Sequence, residues 1–94
     1  MKSYEIFTED LGITGEEKIR EVLLNNGIES FTLLSAKGVY KGGCEPSFVV
    51  KVVSEINLES MAVVCELIRV ALHQKEVLLT WQDVEAYSIK GVGL

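Results

Sequence analysis

Two lysines and three glycines lie close together in residues 37–43, KGVYKGG. Ammonium groups beside glycines, which let a ligand approach the backbone N–H groups, are the ingredients of an anion-binding nest. Tyr40 would add a stacking surface for a ring, and Glu45 could bond to a ribose or hold one of the lysines. The segment lacks the GKS or GKT of a P-loop, and a hairpin turn with solvated lysines explains the same residues. The candidate ligand-binding residues are therefore Lys37, Gly38, Tyr40, Lys41, Gly42 and Glu45, with both interpretations open.

The other residues that could do chemistry are few and isolated. His73 is the only histidine, so one chain cannot supply a metal site of several imidazoles or a catalytic histidine pair. Cys44 could be a reactive thiol or an inert turn residue, whereas Cys65 lies inside an apolar helical stripe. Trp81 would pack at a subunit boundary or form a ligand platform beside a cleft. No catalytic triad, carboxylate pair or Cys-His couple stands out, so enzymatic activity is the minority interpretation, with no catalytic residue, metal or cofactor predicted.

Composition and charge exclude several classes of protein. The 94 residues carry a net charge of −5 and only nine lysines and arginines. These basic residues are scattered, which argues against nucleic-acid binding because phosphate neutralisation needs clustered positive charge. The apolar runs are too short to cross a bilayer, and the first residues lack a signal-peptide pattern. We expect a cytoplasmic protein with a single domain over residues 1–94, without nucleic-acid or membrane partners.

Hydrophobic periodicity predicts the element order strand, helix, strand, strand, helix, strand. The predicted ranges are strand 3–7, helix 14–26, hairpin strands 30–40 and 47–54, helix 58–74 and strand 77–81. Thr14 and Glu17 would form a capping box at the start of the first helix, and Asn26-Gly27 would stop it. A glycine-containing loop, residues 38–46, joins two β-branched runs, as in a β-hairpin. Residues 84–89 are compatible with an additional edge strand.

This order predicts an α+β, ferredoxin-like βαββαβ sandwich, in which an antiparallel sheet carries both helices on one face. The opposite face must then meet either water or another copy of the chain. Depending on strand register, that face draws on Leu33 or Leu34, Val49, Val53, and Leu78 or Leu79. Apolar patches of this kind usually mark association surfaces, so we predict a homo-oligomer. Polar residues on the same strands leave a monomer with a hydrated face as the alternative.

Residues 27–42, GIESFTLLSAKGVYKG, and residues 76–89, EVLLTWQDVEAYSI, resemble the trimeric PII signalling proteins and their CutA-like relatives. In those families a Gly-Ile followed by a strand ending in Lys-Gly leads into the loop-bearing hairpin. The resemblance implies a trimer with ligand clefts between subunits, next to the hairpin loop. The chain departs from PII proteins at residues 73–76, where HQKE replaces a glycine-rich, basic phosphate loop, and it lacks the paired tryptophans of CutA-like proteins.

These observations predict a non-enzymatic, oligomeric protein that binds, senses or sequesters a small ligand, such as a nucleotide or another metabolite. The cleft would lie between subunits beside residues 38–46. A second hypothesis is a protein–protein adaptor or inhibitor that uses the acidic surface and the hairpin tip. A third is a small enzyme with sites shared across subunits. The identity of the ligand stays open, because a fold does not specify it.

Overall fold

The computed structural model describes residues 1–91 and contains the six elements in the predicted order. They are β1 (Lys2–Glu9), α1 (Gly12–Asn25), β2 (Thr32–Tyr40), β3 (Gly43–Ser54), α2 (Leu58–Ala71) and β4 (Leu78–Asp83). The strands form one antiparallel sheet in the order β2-β3-β1-β4. This arrangement confirms the ferredoxin-like fold class. No helix within residues 1–91 is both long and apolar enough to cross a membrane.

The core lies between the two helices and one face of the sheet. Strand β1 occupies the centre of the sheet although half of its residues are polar, because its alternate side chains Tyr4, Ile6 and Thr8 point into this core. The buried Tyr4 hydroxyl donates a 2.6 Å hydrogen bond to the carbonyl of Ile56, which satisfies its polar end. Helix α1 contributes Ile19 and Leu23 to this core, and helix α2 contributes Met61, Val64, Cys65 and Ile68.

Helix α1 begins at Gly12, two residues before the predicted capping box. The N–H group of Gly12 donates to Oδ1 of Asp10 at 2.8 Å, so the helix starts almost directly after β1. Thr14 therefore lies inside the first turn, and the prediction that it caps the helix is wrong. The predicted stop at Asn26-Gly27 is confirmed, since Asn26 is the C-cap and Gly27 has a φ of +80°.

Helix α2 ends at Ala71, three residues before the predicted end at Gln74. His73 adopts a left-handed φ of +54°, which the helix cannot accommodate. The N–H groups of His73 and Gln74 donate back to the carbonyls of Val70 and Arg69, at 3.1 and 3.0 Å. These bonds satisfy the last carbonyls of the helix and turn the chain toward β4.

Residues 84–89 do not form the additional strand. Asp83 is paired with Lys2, the first residue of β1, so the chain beyond it has no strand beside it. Val84 makes one backbone bond, from its N–H to the carbonyl of Met1 at 3.0 Å, and residues 84–91 carry no regular secondary structure. The side chains of Tyr87 and Ile89 are each 89% exposed.

The sheet face opposite the helices carries at least one apolar side chain from each strand. The register places Leu34, Val49, Phe7 and Leu78 next to one another, and we call these four residues the apolar row. The neighbouring row is polar and consists of Thr32, Lys51, Glu5 and Thr80. Val53 lies further along the same face, whereas Leu33 and Leu79 are turned toward the core. The predicted apolar face is therefore present, with Phe7 as an addition.

Candidate functional site

The candidate ligand-binding residues lie at the tip of the β2–β3 hairpin, and the loop is much shorter than predicted. Strand β2 runs to Tyr40 and β3 starts at Gly43, so the turn consists of Lys41 and Gly42 alone. Both residues have positive φ angles, 48° and 81°, as in a type I′ turn. The twist of such a turn matches the twist of paired strands, so the ladder continues to its edge. The prediction of a loop over residues 38–46 is wrong in its extent.

Gly38 and Pro46, two of the residues that signalled a loop, lie within this ladder. Gly38 is opposite Glu45, and a Cβ at position 38 would come within 2.7 Å of the Ser47 hydroxyl oxygen. The Pro46 carbonyl accepts a 3.0 Å hydrogen bond from the Asp10 N–H, so it faces β1 rather than β2. Since Pro46 needs no N–H toward β2, a proline is tolerated at this position in the hairpin.

Some of the candidate residues come together at the tip. Lys37, Glu45 and Pro46 line an open depression of about 380 Å³ together with Ala36 and Cys44. On the turn itself, the ammonium group of Lys41 lies 5.4 Å from the centre of the Tyr40 ring, within cation–π distance. This part of the hairpin extends past β1, because the pairing of β1 with β3 ends at Ser47. The tip therefore presents two lysines and an aromatic ring outside the body of the domain.

Trp81 does not join this group within one chain. It lies on β4, at the sheet edge opposite β2, which is roughly 14 Å away across three strand spacings. Its partner on β1 is Tyr4, near the end of β1 that is remote from the hairpin tip. Any site that contains both Trp81 and the tip would need two copies of the chain.

A polar group that sequence reasoning missed lies beside the start of β4. A depression of about 220 Å³ is lined by Phe7, Thr8, Glu9, Ser47, Gln74, Glu76 and Leu78. The Gln74 amide is buried, and neither its oxygen nor its nitrogen has a hydrogen-bond partner among residues 1–91. Buried amides are nearly always paired, so Gln74 is unusual. The only sequence signal was that residues 73–76 stand in the place of the PII phosphate loop.

An ion pair joins β1 and β4 at the end of the sheet remote from the Gln74 depression. Lys2 Nζ donates to Asp83 Oδ1 at 2.6 Å, which raises the pKa of Lys2 and lowers the pKa of Asp83. Because the folded state depresses the pKa of Asp83, the pair stabilises the fold above the ordinary aspartate pKa and is lost as the pH falls through the lowered value. Both groups face solvent, so the contribution to stability is small.

The two cysteines should differ sharply in reactivity. Cys44 is exposed, whereas burial of Cys65 raises the pKa of its thiol to about 11. We expect iodoacetamide at neutral pH to modify Cys65 at least about 100-fold more slowly than Cys44, since both thiolate fraction and access are reduced. Intact-mass spectrometry should find one adduct on the folded protein and two in denaturant. Labelling of Cys65 in folded protein at the rate of Cys44 would contradict this prediction.

No protein-family model matches the chain, and no curated protein matches its sequence. Solved structures do share its fold. A DUF3240 family protein from Shewanella baltica OS155 superposes with a TM-score of 0.71 at 8% identity, covering 96% of both chains. A phage SAM lyase in the apo state gives 0.68 at 17% identity, covering 99% of this chain and 91% of the other.

A third structure is CPII, a nitrogen regulatory PII-like protein from Thiomonas intermedia K12, bound to ADP, AMP and bicarbonate. Its TM-score is 0.64 at 16% identity, and the match covers 95% of this chain and 94% of CPII. At these identities the likeness is one of fold. The chain is an α+β protein with the ferredoxin-like fold that PII-like proteins also have.

Proposed function

We propose that this protein is a non-enzymatic homo-oligomer that binds a small anionic ligand, such as a nucleotide, in clefts between copies beside the hairpin tip. Above all, the apolar row supports this proposal, because all four strands expose it on the sheet face that the helices leave free. Contiguous apolar surface of this kind is uncommon on monomers. A trimer, a cytoplasmic location and a CutA-like relationship remain finer predictions from the sequence.

The polar row beside the apolar row also favours association between copies. Glu5 and Lys51 are opposite each other on β1 and β3, so the same face carries one acidic and one basic side chain. In an interface built on this face, Lys51 of one copy could pair with Glu5 of another. Such charge complementarity fixes the orientation of an interface and disfavours other partners.

The tip residues support an anionic ligand. Lys37 lines the depression of about 380 Å³, and the Lys41–Tyr40 pair lies on the adjoining turn. In a single copy this depression is open to solvent, and a neighbouring copy would supply the missing wall. A site that unites the tip residues with Trp81 would also need a neighbouring copy, since the two lie at opposite edges of one sheet. CPII has a similar fold and was solved with ADP and AMP bound, which makes nucleotides the first class to test.

Replacing Lys37 by methionine should weaken ligand binding without destabilising the fold. Its side chain is exposed on an edge strand, so the charge is lost at little cost to stability. One charge-assisted contact to a phosphate is worth roughly 1.5–3 kcal/mol, or about 10- to 100-fold in affinity. Calorimetric titration of the wild type and of Lys37→Met with ATP, ADP and AMP measures the change.

Arg20→Met is the matched control, because Arg20 is an exposed cation on α1 that does not line the depression. The control should bind as the wild type does. If none of the three nucleotides raises the wild-type melting temperature, the proposed nucleotide ligand is wrong, since any ligand of the folded state must raise it. Equal weakening by Arg20→Met and Lys37→Met would place the ligand elsewhere.

An adaptor is the second candidate function, and the charge beside the tip favours it. Glu9, Asp10 and Glu45 line a depression of about 230 Å³ with Pro46. Three carboxylates on one surface suit a basic segment of a partner protein. Native mass spectrometry of protein purified from cells separates the two functions, since the adaptor would carry an added chain and the binding protein a small molecule.

A further inference from the structure

Residues 84–89, VEAYSI, carry no regular secondary structure, yet their sequence has the side-chain pattern of a strand. In an extended chain Glu85, Tyr87 and Ile89 share one side, and the two apolar members of that set are almost fully exposed. Within residues 1–91 the backbone hydrogen bond of this segment to its own domain runs from the Val84 N–H to the Met1 carbonyl. We call residues 84–89 the tail.

The outer edge of β2 offers a free row of backbone donors. Among residues 1–91, strand β2 lies at one edge of the sheet and pairs with β3 alone. Since the Pro46 carbonyl faces β1, its partner Lys37 directs its own N–H and carbonyl to the outer edge. Leu33, Ser35 and Val39 have the same parity as Lys37 and therefore also point outward. Unpaired strand edges are ready templates for another strand.

We propose that the tail of one copy adds as a strand to the outer edge of β2 in a neighbouring copy. This inference rests on the homo-oligomer of the proposed function. The tail leaves the sheet at β4, the edge opposite β2, so it would have to cross a whole sheet face to reach β2 of its own chain. A neighbouring copy needs no such crossing. Glu85 in the tail and Lys37 on the edge also complement each other in charge.

Strand exchange of this kind gives the hairpin site a residue from another chain. Lys37 belongs both to the outer edge of β2 and to the lining of the depression of about 380 Å³. A tail lying along that edge places Tyr87 or Ile89 beside the depression and closes its open side. Because donor edge and acceptor edge differ, the contact is head-to-tail and closes into a ring only at a rotation such as that of a trimer.

A chain that ends after Glu85 tests the inference. It keeps the Val84 bond to Met1 and loses most of the tail, so it should fold like the wild type. We expect native mass spectrometry at about 10 μM to find the wild type as an oligomer and this variant as a monomer, a weakening of at least about 100-fold in self-association. A chain that ends after Ile89 is the matched control and should form an oligomer with the same number of copies as the wild type.

Ser35→Pro tests the acceptor edge independently. It removes an N–H that points away from β3, so the hairpin ladder stays whole while the added strand loses a bond. We expect it to weaken the oligomer at least about 10-fold relative to Ser35→Ala. Hydrogen exchange supplies a second measurement, since the amides of Leu33, Ser35 and Lys37 should be protected in the wild type and exchange freely in the chain ending after Glu85.

The outcomes separate this inference from the proposed function. A monomeric wild type overturns the proposed oligomer and strand exchange together. An oligomeric wild type whose mass survives loss of the tail overturns strand exchange alone and leaves association through the apolar row. If loss of the tail dissociates the oligomer while Ser35→Pro has no effect and the β2 amides stay unprotected, the tail pairs elsewhere and β2 is the wrong edge.

Discussion

Replacing Leu34 with glutamate is expected to convert the protein from an oligomer into a monomer. Leu34 belongs to the apolar row and is 43% exposed in a single copy, so a glutamate there stays hydrated in the monomer. In an oligomer built on this face the carboxylate would be buried without a partner, which costs several kcal/mol and weakens association by roughly 1000-fold or more. Size-exclusion chromatography with light scattering, at roughly 10 to 100 μM protein, measures the mass of the particle in solution. At these concentrations a roughly 1000-fold weaker association should leave the variant monomeric.

Leu67→Glu is the matched control for this experiment. Leu67 is 42% exposed and lies on α2, in the layer of helices on the other side of the sheet. The two variants therefore make the same chemical change at the same exposure on opposite surfaces. Dissociation by Leu67→Glu but not by Leu34→Glu would place the interface on the exposed apolar side chains of α2, and the proposal for the sheet face would be wrong.

The sequence predicted the order of the elements and the existence of an apolar sheet face, but it left the strand register open. A shift of one residue would have exchanged Leu34 for Leu33 on that face. The two-residue turn decides between them, because it fixes Tyr40 opposite Gly43 and thereby Leu34 opposite Val49. Register is thus encoded in Lys41 and Gly42, although the sequence pattern alone predicts a longer loop there.

The errors have a common physical cause, which is that local signals were interpreted without their tertiary partners. Gly38 and Pro46 are turn formers in isolation, yet both lie within the strands. Gly38 avoids the clash that a Cβ would make with the Ser47 hydroxyl, and Pro46 occupies a position that needs no N–H toward β2. Thr14 is a good cap, but the carboxylate of Asp10 reaches the first N–H of α1 earlier in the chain. Residues 84–89 have a strand pattern and no strand beside them.

The candidate site shows the same limit at the level of the assembly. Residue types alone selected Lys37, Tyr40, Lys41 and Trp81, and the fold places the first three at one end of a hairpin. Trp81 lies at the opposite edge, so its inclusion depends on how copies join. Nothing in a single sequence reports the geometry between copies. Gln74 was missed for a related reason, since an unpaired buried amide is visible only once its surroundings are known.

Replacing Ile6 with alanine is expected to lower the free energy of unfolding by about 2–5 kcal/mol. Ile6 is fully buried on the central strand, between Val50 of β3 and Leu79 of β4. Its truncation leaves a cavity where both helices meet the sheet, and domains of this size are stable by only roughly 5–14 kcal/mol. Urea unfolding followed by circular dichroism measures the loss.

The Ile6 measurement is best made in the Leu34→Glu background, because unfolding of an oligomer would otherwise depend on protein concentration. Ile13→Ala is the control, since Ile13 is 75% exposed on α1 and its truncation should change stability by less than about 0.5 kcal/mol. Equal effects of the two substitutions would mean that the Ile6 side chain does not lie in the core. Ile6 and Phe7 are neighbours on β1, so a strand register that buries Ile6 in the core also places Phe7 in the apolar row on the other face. Burial of Ile6 therefore supports the register on which the proposed interface depends.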